Sequence, residues 1–312
     1  IEVSPSAKNI VINEIMFNPT SGNDLEEFIE LANTGSLPIS INGWQLDSGV
    51  NFTFPDVTIP PGEFLVITAD TTTFAATYGA IPNVLGNWTG KLSNSGERIR
   101  LIDDNGEEVD EVRYYDQGDW ARRARVSVGN EPGWDWISPA DGRGSSLELI
   151  NPALSNKQGQ NWGFNISNIP TPGTINSTAA DNSAPLILDL EHRPAVPTSS
   201  DPIGITAELR DESGETITGT LHYRVSAQNP GPFQTMPMLD DGANYDDEPG
   251  DGIYGAMLPP QPNGTVIEFY VESSDGTNLR TWPAPADNGQ TANALLQVDD
   301  EANTVDYAFY RV

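Results

Sequence analysis

Short apolar stretches recur along the chain between clusters of Gly, Pro, Asn and Asp. Those at 10–16, 27–32, 64–68, 98–102 and 109–114 are the clearest. Their length and period suit strands, some half-buried and some covered on both faces. Helical periodicity is nearly absent. The exception is Thr-Thr-Thr-Phe-Ala-Ala-Thr-Tyr at 71–78, which predicts a short helix capped by a threonine. Many short strands with turn signals between them predict an all-β fold built from sandwiches.

Several turns carry their own mechanism. Asp103-Asp104-Asn105-Gly106 separates two strand-like runs, and Asn-Gly accepts the positive φ of a type I′ hairpin turn. Asn42-Gly43 before Trp44, and Pro60-Pro61-Gly62 before Glu63, predict tight reversals into buried strands. The stretch from Pro170 to Pro185 is small, polar and Pro-rich, with no apolar periodicity, and predicts an extended linker. Strand patterning restarts at Leu186-Ile187-Leu188. The division expected is therefore a first domain at 1–176, a linker at 177–185 and a second domain at 186–312, and 312 residues suit two domains.

Composition narrows the partners. Gly and Pro together make about 17% of the chain, as turn-rich β structure requires. There is no cysteine, which excludes disulfides, thiolate metal sites and cysteine nucleophiles. The net charge is −30, with 23 acidic and 10 basic residues up to residue 180, then 22 and 5. A field of that sign repels phosphate backbones and anionic lipid, so no nucleic-acid partner and no membrane insertion are expected. It also attracts divalent cations. No apolar run is long enough for a membrane span. The chain begins abruptly at Ile1-Glu2-Val3 and ends on the apolar 305–312, so it is expected to be a piece of a longer protein, covalently continuous with further domains.

Ordered motifs add a resemblance. Ile12-Asn13-Glu14-Ile15-Met16-Phe17-Asn18-Pro19 is followed by Asp24-Leu25-Glu26-Glu27-Phe28-Ile29-Glu30-Leu31-Ala32-Asn33-Thr34-Gly35. Then come Ile41-Asn42-Gly43-Trp44-Gln45-Leu46, Ile59-Pro60-Pro61-Gly62-Glu63-Phe64-Leu65-Val66-Ile67, Gly144-Ser145-Ser146-Leu147-Glu148-Leu149 and Thr171-Pro172-Gly173-Thr174-Ile175-Asn176. This part of the chain resembles the lamin tail domain in its bacterial extracellular form. The resemblance implies an immunoglobulin-like β-sandwich that binds and scaffolds. Residues 117–141, with Arg122, Arg123, Arg125, Trp120, Trp134 and Trp136, depart from it as an insertion.

The second half holds Leu239-Asp240-Asp241-Gly242, Gly250-Asp251-Gly252-Ile253-Tyr254-Gly255-Ala256, Glu268-Phe269-Tyr270-Val271-Glu272-Ser273-Ser274-Asp275 and Ala294-Leu295-Leu296-Gln297-Val298-Asp299-Asp300. It resembles the immunoglobulin-like module found beside lamin tail domains in secreted surface proteins that continue into a CotH (spore-coat kinase-like) domain. The expected architecture is two immunoglobulin-like β-sandwich domains in tandem, the second also like fibronectin type III.

One constellation stands out chemically. The thirteen residues from Asp240 to Gly252 hold five Asp, one Glu and one Asn. Hard oxygen ligands on a turning loop suit Ca²⁺, which takes about six to eight of them. Asp240, Asp246 and Asp251 are the leading ligand candidates, with Asp241 and Asn244 beside them. The competing reading is a solvated acidic turn. Gly250-Asp251-Gly252-Ile253-Tyr254-Gly255 fits a dinucleotide fingerprint only formally, since no apolar strand leads into it and the carboxylates repel pyrophosphate. Glu14, Glu27 and Glu30 offer acid–base chemistry, or one polar strand face. His192 and His222 form no legible triad. Trp88, Trp120, Trp134 and Trp136 suggest a sugar-stacking platform or plain packing, and the arginines a contact to an acidic surface.

The function expected is therefore a non-catalytic, extracellular or cell-surface segment of a bacterial protein, binding a protein or polysaccharide partner. The alternative is a carbohydrate-binding accessory module of a secreted hydrolase or CotH kinase-like enzyme.

Overall fold

The structure is a computed structural model that describes residues 9–128, 131–165, 167–212, 216–301 and 308–310. The chain divides into two compact units. The first holds residues 9–122 and 135–181, the second 123–134 and 182–310.

Strands β1 to β7 are Ile10–Met16, Phe28–Asn33, Ile39–Ser40, Gln45–Ser48, Val50–Thr53, Thr58–Ile59 and Phe64–Thr68. After helix α1 (Thr71–Tyr78) come β8 to β11, at Val84–Gly86, Thr89–Gly90, Gly96–Ile102 and Glu108–Tyr115. The β12–β13 hairpin is Arg122–Val128 and Glu131–Ile137, and β14 and β15 are Leu147–Leu149 and Trp162–Phe164. The first unit is a sandwich of a six-stranded sheet, β15-β14-β1-β2-β7-β8, and a five-stranded sheet, β11-β10-β4-β5-β9. Ile12, Ile29 and Ile67 from the larger sheet meet Ile99, Leu101 and Val112 from the smaller in one core. At about 25 cal/mol per Å² of apolar surface, this burial is the main force holding the two sheets together.

The larger sheet is buried on both faces, which is why β2 shows no alternation in burial at all. Ile29 and Leu31 point into the sandwich, while Phe28 and Glu30 point away from it. Part of the outer face is covered by α1, where Phe74 and Tyr78 pack on Phe28, Met16 and Val66. The cap of α1 is Asp70, whose carboxylate accepts from Thr73 N, so an aspartate one residue upstream does the work expected of a threonine.

In the second unit β16 to β20 are Leu186–Arg193, Ile203–Arg210, Thr218–Val225, Gln234–Met238 and Ile253–Leu258. They are followed by β21 to β24, at Val266–Ser274, Leu279–Trp282, Ala294–Gln297 and Ala308–Phe309. One sheet is β20-β17-β16-β24; the other is β19-β18-β21-β22, with β23 also on β21. β21 buries every second residue, Ile267, Phe269, Val271 and Ser273, so one face is core and the other faces out.

Turn chemistry was readable with one exception. Glu63 N donates to Pro60 O across Gly62, whose φ of 71° is the left-handed position a type II turn requires. The Asp103–Gly106 turn differs from the type I′ expected. Only Gly106 has a positive φ (83°), Gly106 N donates to Asp103 O, and Asp103 Oδ1 accepts from both Asn105 N and Glu107 N. That is a type I turn followed by a glycine bulge, and the Asp103 side chain selects it.

Candidate functional site

The half of the outer face that α1 leaves free in the first unit carries the most unusual chemistry. β14, β1 and β2 bring Glu148, Glu14 and Glu30 directly opposite one another in the pairing register. A bulge at Asn13 makes this possible: it turns Asn13 and Glu14 to the same side while Ile12 and Ile15 both stay in the core. The row continues into Val66 on β7 and Val84 on β8. All three glutamates are 0% exposed.

Residues 167–178 close over the row. From Pro170 on, this segment falls within the stretch expected to be a linker, and its polar atoms serve the glutamates. Glu148 accepts from Thr171 Oγ1 (2.9 Å), Ser177 Oγ (2.8 Å) and Thr178 N (3.0 Å), as well as Asn165 Nδ2 (2.8 Å). Glu14 Oε1 accepts from Thr171 N (2.9 Å) and Ser146 Oγ (2.5 Å). Glu30 accepts from Gly173 N and from Asn13 Nδ2. Asn176 Nδ2 donates to Asn13 O and Leu149 O. Gly173 is obligatory here. Its φ is +79°, and a Cβ would lie 2.4 Å from Ile81.

Burial and crowding set the charge. Burial, then the Glu30 carboxylate, push Glu14 up to about 8, against hydrogen bonds from Ser146 and Thr171 that pull the other way. Burial pushes Glu30 up to about 7, with hydrogen bonds from Gly173 and Asn13 opposing. At neutral pH the row therefore retains a proton. Glu27 lies apart from it, also 0% exposed, with Oε2 accepting from Leu92 N and burial raising it to about 8. The sequence pointed to Glu14, Glu27 and Glu30 but not to Glu148, which only the register brings in.

Perturbed carboxyls mark active sites when a substrate can reach them. These have no solvent-facing surface and their oxygens hold the chain itself. A cleft of about 540 Å³ lies beside them, lined by Phe64, Leu149, Pro152, Ile175, Asn33 and Asn176. The amide donors of Asn33 and Asn176 are engaged by backbone carbonyls, so the cleft is an apolar surface with few free polar groups.

The acidic loop is brought together by backbone amides. Asp240 accepts from Gly250 N and Gly252 N, one on each oxygen. Asp246 is 0% exposed; its Oδ2 accepts from Asp241 N (2.7 Å) and Gly242 N (3.0 Å), and its Oδ1 is buried with no partner. Asp241 and Asp251 are exposed and accept from Ala243 N and Ile253 N, and Asn244 turns the chain at φ 59°. Among the described residues no group of three or more His, Asp or Glu side chains is arranged to hold a metal ion. Next to the loop, Tyr245 lies on Gly204 and lines a cleft of about 310 Å³ with Asp189, Glu191, Glu208, Asp247 and Arg193.

The remaining candidates disperse. Trp88 and Trp120 are buried, Trp120 against Trp162 in the first core. Trp134 is 37% exposed, with the guanidinium groups of Arg123 and Arg125 over its ring at 5.2 and 4.5 Å. Arg122 stands over Phe164. His192 is buried, its Nδ1 is 2.9 Å from Pro194 O, and burial lowers it below the usual imidazole range. His222 stacks on Tyr270 at 4.4 Å, with Nε2 3.5 Å from Glu272.

Among the described residues no helix is long and apolar enough to cross a membrane. No curated protein matches the chain. Strands β1–β11, with the buried Glu14, Glu27 and Glu30, lie in the stretch that matches a known family: residues 3–116 match the Lamin Tail Domain model, and over that stretch the chain is similar to the lamin tail domain.

Proposed function

We propose that this chain is a non-catalytic binding and scaffold segment of a larger bacterial surface or secreted protein. In this reading its two units are immunoglobulin-like sandwiches in tandem, the second of the kind that neighbours CotH domains. The observation that carries it is the fate of the most reactive-looking groups. Glu14, Glu30 and Glu148 are sealed from solvent, and their oxygens anchor residues 171–178 of the same chain. A general acid or base needs a path to its substrate, within about 3 Å or through one water.

The partner is a protein or polysaccharide met outside the cell. The exposed Trp134 with its two arginines is the feature that favours the carbohydrate-module alternative. Calcium at the acidic loop belongs to the same proposal and rests on the buried, unpartnered Oδ1 of Asp246. The test combines a panel of glycoside, ester and phosphoester substrates with affinity electrophoresis in polysaccharide gels. No turnover is expected. Turnover that disappears in Glu14→Gln overturns the non-catalytic reading. Retardation lost in Trp134→Ala moves the assignment to the carbohydrate module.

A further inference from the structure

Residues 167–178 cover the glutamate row without contributing any charge to it. Ser-Asn-Ile-Pro-Thr-Pro-Gly-Thr-Ile-Asn-Ser-Thr contains no Asp, Glu, Lys, Arg or His. The bonds from this segment to the glutamates are all donated to their oxygens, from Thr171, Gly173, Ser177 or Thr178, and Asn176 adds charge-independent bonds to Asn13 and Leu149. The titratable groups facing Glu14 are Glu30 and Glu148 on the flanking strands and Tyr78 on α1, whose phenol burial holds above its usual range. No described cation forms an ion pair with any of the three glutamates. Like charges directly opposite on neighbouring strands repel, and burial strengthens the repulsion. A fully ionised row has hydrogen-bond donors but no described cation in place to balance it.

We propose that residues 167–178 form a pH-governed strap, shut on the sheet while the glutamate row holds a proton beneath it and opened when the row ionises fully. This goes beyond the scaffold reading and does not depend on it. The closed state binds protons more tightly than the open one, because Glu14 and Glu30 are raised to about 8 and about 7 while they are covered. Exposed to water, each returns toward the ordinary carboxyl value of about 4.3. Between those limits opening releases protons to solvent, so rising pH favours the open strap. Linkage sets the slope: the opening equilibrium grows about tenfold per pH unit for each proton released and levels off above the closed-state values.

Hydrogen exchange on the full chain reads this directly. Protection factors, corrected for the intrinsic pH dependence of exchange, are measured from pH 5 to 9 for peptides covering 167–178. Peptides from β18 and β21 of the second unit serve as the internal reference. The strap should lose about tenfold or more in protection per pH unit from 5 to 7 and flatten above 8, with β18 and β21 unchanged and the strap less protected throughout than β10 and β11 of its own unit. Glu14→Gln keeps an acceptor for Thr171 N and Ser146 Oγ but cannot ionise, so its slope should be shallower by one proton. A flat strap, an equal slope in β18 and β21, strap protection equal to that of β10 and β11 throughout, or a Glu14→Gln slope equal to wild type overturns the proposal. Should Glu14→Gln not fold, the wild-type slope against the reference strands decides alone.

Discussion

Glu148, Glu14 and Glu30 crowd a buried row in the first unit, whereas Asp240, Asp241, Asp246, Asp247 and Asp251 crowd a surface turn in the second. The two regions use the same chemical group and solve its repulsion differently. In the row, burial and register force carboxyls together until protonation relieves them, and the acceptors are filled from far along the chain, by backbone N–H groups and hydroxyls of 171–178 with Asn165 and Ser146. In the turn, water screens the exposed aspartates and backbone N–H groups supply the donors. A buried acidic cluster therefore fixes a long-range contact, here 157 residues apart between Glu14 and Thr171, whereas an exposed one shapes only its own loop. The row should accordingly be far more sensitive to mutation and pH.

The strongest way to break that contrast is Glu148→Ala. It removes the acceptor that Thr178 N, Ser177 Oγ, Thr171 Oγ1 and Asn165 Nδ2 share, in a buried to part-buried site. Each lost acceptor costs about 1–3 kcal/mol, reduced where the segment can peel away to water. A loss of about 4 kcal/mol is expected in urea unfolding followed by the core tryptophans of the first unit. A loss below about 1 kcal/mol would show that the strap contributes nothing to the fold.

The pH dependence comes next, and its sign is fixed by the direction of the shifts. Glu14 and Glu30 are raised in the folded state, so between about pH 4.5 and 8 the folded chain binds more protons than the unfolded one. First-unit stability should therefore fall as pH rises through that window and be flat above it. The decline should run at about 1.4 kcal/mol per pH unit for each proton released. Stability that rises from pH 5 to 8 would place the ionised row, not the protonated one, as the favoured state.

How far the sequence reveals these features follows from the same comparison. The strands at 10–16 and 64–68, the 71–78 helix and the Pro-Pro-Gly turn were legible because each rests on local periodicity or a single backbone requirement. The acidic loop was legible as a cluster because its members are neighbours in sequence. The row was not: Glu148 lies 134 residues from Glu14, and only the β1–β14 register joins them. The stretch from Pro170 onward reads as a linker since small polar residues with prolines suit solvent, and nothing local shows that their donors answer three buried acids. A glutamate set inside an otherwise apolar run, as in Ile-Val-Ile-Asn-Glu-Ile-Met, was the one available signal that a strand covered on both faces holds a polar network.

Two substitutions of middling size sharpen the contrast from each side. Gly173→Ala forces a side chain into a left-handed backbone and onto Ile81. A loss of about 2 kcal/mol is expected, together with faster exchange in the strap. Asp246→Ala removes the acceptor for Asp241 N and Gly242 N, and about 1–2 kcal/mol should be lost from the second unit alone. Thermal unfolding of the single and double variants checks both. Their effects should add, because the sites share no partner. Coupling above about 0.5 kcal/mol would mean that row and loop are not independent.

The smallest effect is that of calcium, and it bears on whether backbone amides alone suffice for the loop. Asp246 Oδ1 is buried without a partner, so one strong acceptor remains for a cation even though the other oxygens of the loop already face N–H groups. A ligand that binds only the folded state stabilises it by mass action, about 1 kcal/mol at a few times Kd. At several millimolar Ca²⁺ the second-unit transition should rise by about 2–4 °C over EDTA. Magnesium should not reproduce the rise, Asp246→Asn should abolish it, and the first-unit transition should not move, since the row has no accessible oxygen. A rise confined to the second unit would extend the contrast: protons neutralise the buried cluster, a cation the exposed one. An unchanged transition would instead make N–H groups and water sufficient, and then the unpartnered oxygen of Asp246 is a local strain that the turn tolerates at its own cost in stability.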